Sequence, residues 1–216
     1  MLLDGAATDV RWTDGDTFRI LSGSLRGRSA RLEGYNTLET YGPVHRWGTW
    51  SSAELLEIAH AASRFARSAT WECTARGEED RYKRLLVYCP RAAAELVRRG
   101  LAMVYAVGRP ADPQLLGLQR DAQRRGSGMW AKGVPREIVT SVHSAVEGSG
   151  RSYDRVVDTA TGLTRERSHR ASHAICQLVC HGAGADRSCM RYVPFERRYR
   201  HRPWCLRASH ATRLDP

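Results

Sequence analysis

The sequence predicts an α+β fold followed by a small cysteine-containing extension. Segments that alternate apolar and polar residues, as strands do, come before and between segments whose apolar residues recur every three or four positions, as in helices. Five or so short strands and three helices fit within residues 1–143, whereas four of the six cysteines lie beyond that point.

The first strands flank a tight turn. The segments "TDVRW" and "DTFRILS" lie on either side of Asp14-Gly15, a dipeptide that favours hairpins. The segment "SARLEGY" (29–35) alternates and is predicted to form a third strand. The chain therefore opens as a small antiparallel sheet.

A long helix is predicted next. Ser51 and Glu54 have the spacing of a capping box, which marks a helix start. The apolar stripe that follows comprises Leu55, Ile58, Ala62, Phe65 and Ala69.

The remaining elements of this part are a hairpin and two helices. The segments "ATWECTA" and "RLLVYCP" predict the hairpin, around the loop "RGEEDRYK". "AAAELVRRG" predicts a helix that ends at Gly100, and Asp112-Pro113 predicts the start of a third helix that ends near Gly126. Five short strands wrapped by helices suit a closed β-barrel of the OB type.

The charge is strongly positive and unevenly distributed. The net charge is +11, which indicates an anionic partner, most often nucleic acid; biased arginine usage is the alternative, since the lysines are Lys83 and Lys132 alone. Residues 1–150 carry +4 and residues 151–216 carry +7. The small, polar stretch "SAVEGSGRS" suggests a linker, so we predict a domain over 1–143, a linker over 144–152 and a basic cysteine-rich extension over 153–216.

Membrane insertion and oligomerisation are not indicated. No apolar run reaches the roughly 18 residues that a membrane helix needs, and the first residues, "MLLDGAATDV", show neither a basic nor an apolar region of a secretion signal.

Acidic residues and an arginine are concentrated between positions 14 and 40. Asp16 and Glu39 offer carboxylate oxygens, and Asn36 and the Thr37 carbonyl could add more, which suits a hard cation such as Ca²⁺. A cation beside Arg31 is what phosphodiester hydrolysis requires. Ordinary turn chemistry is the alternative, because Asp, Asn and Gly favour turns.

Six ordered motifs resemble the staphylococcal nuclease (thermonuclease-like) family over about residues 8–132. These motifs are "DGDTFRI", "RLEGYNTLET", "YGPVHRWG", "DRYKRLLVY", "AAELVRRGLAMV" and "GMW". The resemblance implies an OB-type barrel and hydrolysis of DNA or RNA, with Ca²⁺ as cofactor.

The resemblance also implies roles for individual residues. Arg31, Glu39 and Arg84 match the catalytic residues: Glu39 the general base, and the two arginines the groups that contact the phosphate and stabilise the transition state. Asp16, Asn36 and Thr37 match the metal-binding positions. Tyr82 matches a tyrosine near the bound nucleotide, and its neighbour Lys83 is also expected to bind the substrate.

Three positions depart from the family pattern. Asn36 stands where the family has a second metal-binding aspartate, so one ligand charge is missing and a different divalent cation is the alternative to Ca²⁺. Leu38 replaces a proline, and Lys83 replaces a glycine. The family's stacking tyrosines have no clear match near Ala106 and Gly108.

The cysteines predict disulfides, with zinc as an alternative in the extension. Cys73 and Cys89 lie on the predicted hairpin, where a disulfide and two free thiols are equally compatible. In the extension, nested disulfides 176–205 and 180–189 are favoured over Zn²⁺ binding by His169, His173 and the cysteines, although the 4, 3, 4 spacing of His169, His173, Cys176 and Cys180 would place all four on one helix face. Disulfides would indicate an oxidising compartment, periplasmic or extracellular.

The tail segment "FERRYRHRPW" interleaves arginines with aromatic residues. That pattern suits stacking with single-stranded nucleic acid; a solvated basic face, an acidic partner, an anionic cell surface and docking on the first domain are the alternatives. Together, the patterns predict a divalent-cation-dependent endonuclease-type hydrolase acting on DNA or RNA. A catalytically weak nucleic-acid-binding module is the alternative.

Overall fold

The computed structural model describes residues 1–148 and 152–207. The α-helices are α1 (Ser52–Arg67), α2 (Pro90–Arg98), α3 (Pro113–Arg124) and α4 (Phe195–Tyr199). The strands are β1 (Leu2–Leu3), β2 (Ala6–Ala7), β3 (Val10–Trp12), β4 (Thr17–Ile20), β5 (Ser29–Leu32), β6 (Gly34–Thr37), β7 (His45–Trp47), β8 (Glu72–Glu79), β9 (Leu85–Tyr88), β10 (Ala102–Tyr105), β11 (Glu137–Val142), β12 (Ser152–Asp158), β13 (Thr164–His169), β14 (Leu178–His181) and β15 (Ser188–Arg191). Short 3₁₀ turns occupy Gly128–Trp130, Ala145–Glu147, Gly184–Asp186 and Trp204–Leu206.

A seven-stranded sheet forms the first half of the molecule. Its strand order is β2-β1-β8-β9-β5-β4-β3, and it curls into a half-barrel. The β3–β4 and β8–β9 hairpins are antiparallel, as the sequence predicts, whereas β5 and β9 pair in parallel. The inner face buries Phe18, Ile20, Leu32 and Val87, each at most 1% exposed.

The predicted third strand is divided in two. The chain pairs with β4 and β9 over β5, turns at Gly34 and continues as β6, which pairs with β10. Gly34 has a φ of +86°, a conformation that favours glycine, and this change of direction moves the following residues to a separate two-stranded sheet. The predicted count of five strands and three helices is not confirmed, because the described residues form fifteen strands and four helices.

Helix α1 begins at the predicted capping box. The Ser51 side chain accepts a hydrogen bond from the Glu54 backbone, and the Glu54 side chain accepts one from the Ser51 backbone. The buried stripe contains Leu55, Ala59, Ala62 and Ala66. The helix ends at Arg67, so Ala69 is exposed and does not belong to the stripe, contrary to the prediction. Helices α2 and α3 are confirmed, each with a proline in its first turn.

Two further three-stranded sheets connect the first and last parts of the chain. One has the order β11-β12-β13, and the other has the order β14-β15-β7. Strand pairing therefore crosses the predicted linker in both sheets, since β11 pairs with β12 and β15 pairs with β7. The division into 1–143, 144–152 and 153–216 stays a prediction, and its residues 149–151 and 208–216 lie outside the described part of the chain.

All six cysteines form disulfides. The pairs are Cys73–Cys89, Cys176–Cys205 and Cys180–Cys189. Both nested pairs of the extension are thus confirmed. The helix face proposed for His169 to Cys180 is wrong, because His169 ends β13 and Cys180 lies in β14, with extended chain and a turn between them.

None of the helices in the described part of the chain has both the length and the apolar character that a membrane span requires.

Candidate active site

The turn before β4 brings the chain against β6. Gly15 is buried, and a Cβ atom at this position would lie 2.6 Å from Cγ2 of Thr37 and 3.1 Å from Cβ of Ala62. A side chain would therefore force the turn away from β6. Glycine at this position lets Asp16, which is 2% exposed, reach the backbone of Thr37.

Asp16 is the centre of a buried hydrogen-bond network. Its Oδ2 accepts hydrogen bonds from the Thr37 backbone N–H at 2.7 Å and from the Thr37 hydroxyl at 3.0 Å. Its Oδ1 accepts one from the Thr17 hydroxyl at 3.0 Å and forms an ion pair with Nη1 of Arg31. These contacts satisfy the buried carboxylate and fix its orientation.

Arg31 connects Asp16 to Asn36. Its Nη2 donates to Oδ1 of Asn36 at 2.6 Å, and its guanidinium lies 5.8 Å from the centre of the Tyr105 ring. Nδ2 of Asn36 donates to the Thr37 carbonyl at 2.7 Å. The predicted residues Asp16, Arg31, Asn36 and Thr37 are therefore in direct contact.

Glu39 lies beyond the end of β6, close enough to this network to interact with its charges. Burial raises the pKa of Glu39; the negative charge of Asp16 raises it further, while the positive charges of Arg198, Arg31 and Arg84 oppose the rise. The backbone N–H of Glu39 donates to Nε2 of His45 at 3.3 Å. A partly buried carboxylate beside three arginines is suited to orient a nucleophile near an anion.

Arg84 is held by the turn of the β8–β9 hairpin. Asp80 accepts hydrogen bonds from the Arg84 backbone at 3.0 Å and from its Nε at 2.8 Å. Burial would raise the pKa of Asp80, but these hydrogen bonds from Arg84 lower it overall. Tyr82 and Lys83 lie on the exposed tip of the turn, and Lys83 has a φ of +63°. In the described part of the chain, Arg84, Tyr82 and Lys83 form no hydrogen bond or ion pair with Asp16 or Asn36, and Arg84 acts on Glu39 through its charge.

Two residues of the site were not assigned roles from the sequence. Burial, with the nearby carboxylates of Asp16 and Glu39, raises the pKa of Asp14 well above 3.8. Arg198 of α4 lies 4.8 Å from the centre of the Tyr41 ring and is the cation that most lowers the pKa of Glu39. The "TDGDT" turn signalled Asp14. No local signal distinguishes Arg198 from the other arginines of "FERRYRHRPW".

The tail docks on the first part of the molecule, which was one of the open alternatives for this segment. The Arg202 guanidinium donates to the Tyr41 carbonyl, and the Tyr199 ring lies 6.3 Å from the Tyr41 ring. Leu206 and Tyr41 belong to the same buried cluster. Docking in this way brings the charge of Arg198 within electrostatic range of Glu39.

The atoms at and next to Asp16 that could act as metal ligands are all oxygens. A carboxylate, an amide oxygen of Asn36 and the Thr37 carbonyl are ligand types that suit Ca²⁺. Asp14, Asp16 and Glu39 do not converge, since the described residues contain no trio of acidic ligand atoms within 4.8 Å of one another. A cation at this point would therefore bind Asp16 together with neutral oxygens.

Comparison with known proteins supports the resemblance for part of the chain. No curated protein matches the sequence. Residues 30–132 match the model of the family described as staphylococcal nuclease homologue, a range that includes Arg31, Glu39 and Arg84 but begins after Asp16. This match implies an OB-fold and a nucleic-acid substrate. Over residues 30–132, the chain therefore contains a segment that matches the staphylococcal nuclease homologue family.

Proposed function

We propose that the protein is a divalent-cation-dependent nuclease that hydrolyses phosphodiester bonds of DNA or RNA, with Ca²⁺ as the expected cation. The observation that carries the proposal is the electrostatic environment of Glu39, a half-buried carboxylate whose rise in pKa on burial is opposed by the charges of Arg198, Arg31 and Arg84. Such positive charges can bind the anionic phosphate of a substrate next to Glu39, the carboxylate that would act as the general base.

Each residue has a role in this proposal. Glu39 orients and deprotonates the attacking water, and Arg31 and Arg84 contact the phosphate and stabilise the charge of the transition state. Asp16, Asn36 and Thr37 hold the cation through their oxygens. Tyr82 and Lys83, on the exposed hairpin tip, contact the flanking nucleotides.

A bound divalent cation supplies polarisation of the phosphoryl oxygen and neutralises charge on the phosphate. Arg31 holds Asp16 and Asn36 by direct contacts, so it keeps their oxygens within one small region. Thr37 contributes to the same region through its backbone, which Asp16 fixes.

A nucleic-acid-binding module with weak or no catalysis is the second candidate. One observation favours it: the Thr37 carbonyl already accepts a hydrogen bond from the Asn36 side chain. An amide at position 36 therefore competes with a cation for one ligand and brings no charge to the site.

Turnover distinguishes the two candidates. Purified full-length protein is incubated with single-stranded DNA, double-stranded DNA or RNA, in Ca²⁺, in Mg²⁺ and in EDTA. We expect cation-dependent cleavage, and for Glu39→Gln a fall in kcat of about a hundredfold or more. Glu57→Gln is the matched control, because Glu57 is an exposed carboxylate on α1.

Two results would contradict the proposal. Cleavage at an unchanged rate in Glu39→Gln would remove the base from the mechanism. Salt-sensitive retardation of DNA on a gel without any cleavage would support the binding module, since binding through phosphate contacts weakens as salt rises.

A further inference from the structure

A second cluster of polar side chains surrounds Asp154, in the part of the chain beyond the family match. Asp154 lies in β12 and is 2% exposed. Its Oδ1 lies 3.2 Å from Nε2 of His169, and its Oδ2 lies 2.8 Å from Nε2 of His181. One buried carboxylate thus contacts two imidazoles, each through a different oxygen.

His173 adds a third imidazole, and this one has no polar partner in the described part of the chain. Both of its ring nitrogens are shielded from solvent, and neither has a hydrogen-bond partner among the described residues. Its ring lies 5.2 Å from the His169 ring and 5.8 Å from the Tyr192 ring. Buried polar atoms normally have partners, because burying them unpaired is unfavourable. The unpaired nitrogens therefore require an explanation.

We propose that Asp154, His169 and His173 bind a transition-metal dication, with Zn²⁺ as the first choice. One ligand atom from each residue lies within 4.8 Å of the others, and among the described residues no other trio of His, Cys, Asp or Glu meets this distance. Tetrahedral zinc with bonds of about 2.0–2.1 Å keeps its ligand atoms about 3.3 Å apart, so a small inward movement completes the set.

The donor types select the metal. Two imidazole nitrogens and one carboxylate oxygen suit Zn²⁺ and its transition-metal neighbours, whereas Ca²⁺ and Mg²⁺ prefer oxygens alone. Cysteine sulfurs are not available as alternative metal ligands, since all six cysteines form disulfides. This set therefore differs from the cysteine–histidine set that the sequence left open.

Neighbouring groups already orient the ligands. Nδ1 of His169 lies 2.9 Å from the Ser152 hydroxyl and 3.2 Å from the Ala171 backbone N–H, and His181 contacts the second oxygen of Asp154. A metal ion would replace the proton that Nε2 of His169 shares with Asp154. The neutral ring would then carry its proton on Nδ1, where the Ser152 oxygen accepts it, and the Ala171 N–H would give up its hydrogen bond to Nδ1. Such outer contacts fix the tautomer and orientation of metal ligands.

Metal titration of the untagged full-length chain tests the site. After treatment with a chelator, the protein is titrated with Zn²⁺ by calorimetry and with Co²⁺ by visible absorbance, without nucleic acid. We expect one saturable site per chain and a higher Tm with Zn²⁺. His173→Ala is expected to weaken Zn²⁺ binding at least about tenfold. Loss of a group that only contacts a metal ligand already weakens binding by about that factor, and this variant removes a ligand itself.

His60→Ala is the matched control, since His60 is a partly exposed histidine of α1 whose ring faces Glu57. It should bind Zn²⁺ as the unchanged protein does. The absence of saturable binding, or equal affinity and equal Tm shift in His173→Ala, would overturn the proposal. The assay needs no turnover, so its result is independent of whether the protein is a nuclease.

Discussion

At the scale of single residues, the contacts of Arg31 organise the candidate active site. Its guanidinium pairs with Asp16 and donates to Asn36, so three of the predicted residues form one buried network. The amide at position 36 accepts this hydrogen bond from Arg31 and also donates to the Thr37 carbonyl. An aspartate at the same position would accept from Arg31 but could not donate to Thr37. The network is therefore matched to asparagine.

Arg198 is the residue whose removal best tests the contribution of the tail. We expect Arg198→Gln to lower kcat for nucleic-acid cleavage by about tenfold or more, because it removes a positive charge that acts on Glu39 at the proposed phosphate site. Arg200→Gln removes the same charge from an exposed position two residues away and should have little effect. Equal kcat values for the two variants would show that Arg198 takes no part in turnover.

His45 should make stability depend on pH. Burial lowers its pKa from 6.5 to about 4, so folding holds the imidazole neutral. Between pH 6.5 and about 4, His45 binds a proton in the unfolded chain but not in the folded protein. The stability that the neutral His45 contributes is therefore complete above pH 6.5 and is lost as the pH falls towards about 4. The loss is on the order of 3 kcal/mol.

Urea unfolding across that interval measures the effect. In His45→Gln, the free energy of unfolding should be lower at neutral pH but should change less between pH 6.5 and about 4. An identical pH dependence in both proteins would assign the acid sensitivity to other groups.

At the scale of elements, the turn of the β8–β9 hairpin is built around Asp80. Its Oδ1 accepts hydrogen bonds from the backbones of Tyr82 and Arg84, at 2.8 and 3.0 Å. Lys83 between them has a φ of +63°, a conformation that glycine adopts without steric cost. The structure therefore gives a physical reason for the glycine that the related family has at this position.

Replacement of Lys83 by glycine should relieve this strain. We expect Lys83→Gly to raise the free energy of unfolding by up to about 1 kcal/mol. A non-glycine residue in the left-handed region is disfavoured by about 1–2 kcal/mol, and the larger conformational entropy of glycine in the unfolded chain offsets part of the stabilisation. Lys83→Ala is the control, since it removes the same charge but keeps the Cβ atom. A chemical unfolding experiment in which the two variants match would argue against backbone strain at this position.

At the scale of the whole molecule, the last part of the chain packs against the first. Strand β15 pairs with β7, and Cys176 and Cys205 share a buried cluster with Tyr41, Tyr192 and Leu206. The Cys176–Cys205 disulfide closes a separation of 29 residues around this segment. The disulfide therefore fixes the chain on both sides of α4, which carries Arg198.

Removal of this disulfide should reduce both stability and turnover. We expect Cys176→Ser combined with Cys205→Ser to lower the free energy of unfolding by about 2–4 kcal/mol. At a temperature where the variant stays folded, kcat should also fall, because α4 is no longer fixed at both ends. The matched control is Cys180→Ser with Cys189→Ser, which should lose stability but keep kcat, since that disulfide joins β14 to β15 and does not enclose α4. Loss of turnover to the same extent in both variants would contradict the link between α4 and the site.

Local patterns in the sequence determined much of the first half. The capping box at Ser51, the proline that opens α3 and the β8–β9 hairpin are each encoded within a few residues, so they could be predicted. The two disulfides of the extension were also favoured from the sequence, whereas for Cys73 and Cys89 a disulfide and free thiols were equally compatible. The assignment of Arg31, Glu39 and Arg84 rested on ordered motifs in the segment that the family match covers, and their roles stay a prediction until turnover is measured.

Contacts between distant residues were decided only by the tertiary structure. The break at Gly34, the pairing of β15 with β7 and the position of Arg198 beside Glu39 all depend on which surfaces meet, and no short pattern records that choice. The same reason explains the cluster of Asp154, His169 and His173. Helical spacing suggested one face for its histidines, but pairing of β12 with β13 brought His169 to Asp154. Sequence fixes local conformation through nearby atoms, whereas these sites arise from strand pairing and burial across the whole chain.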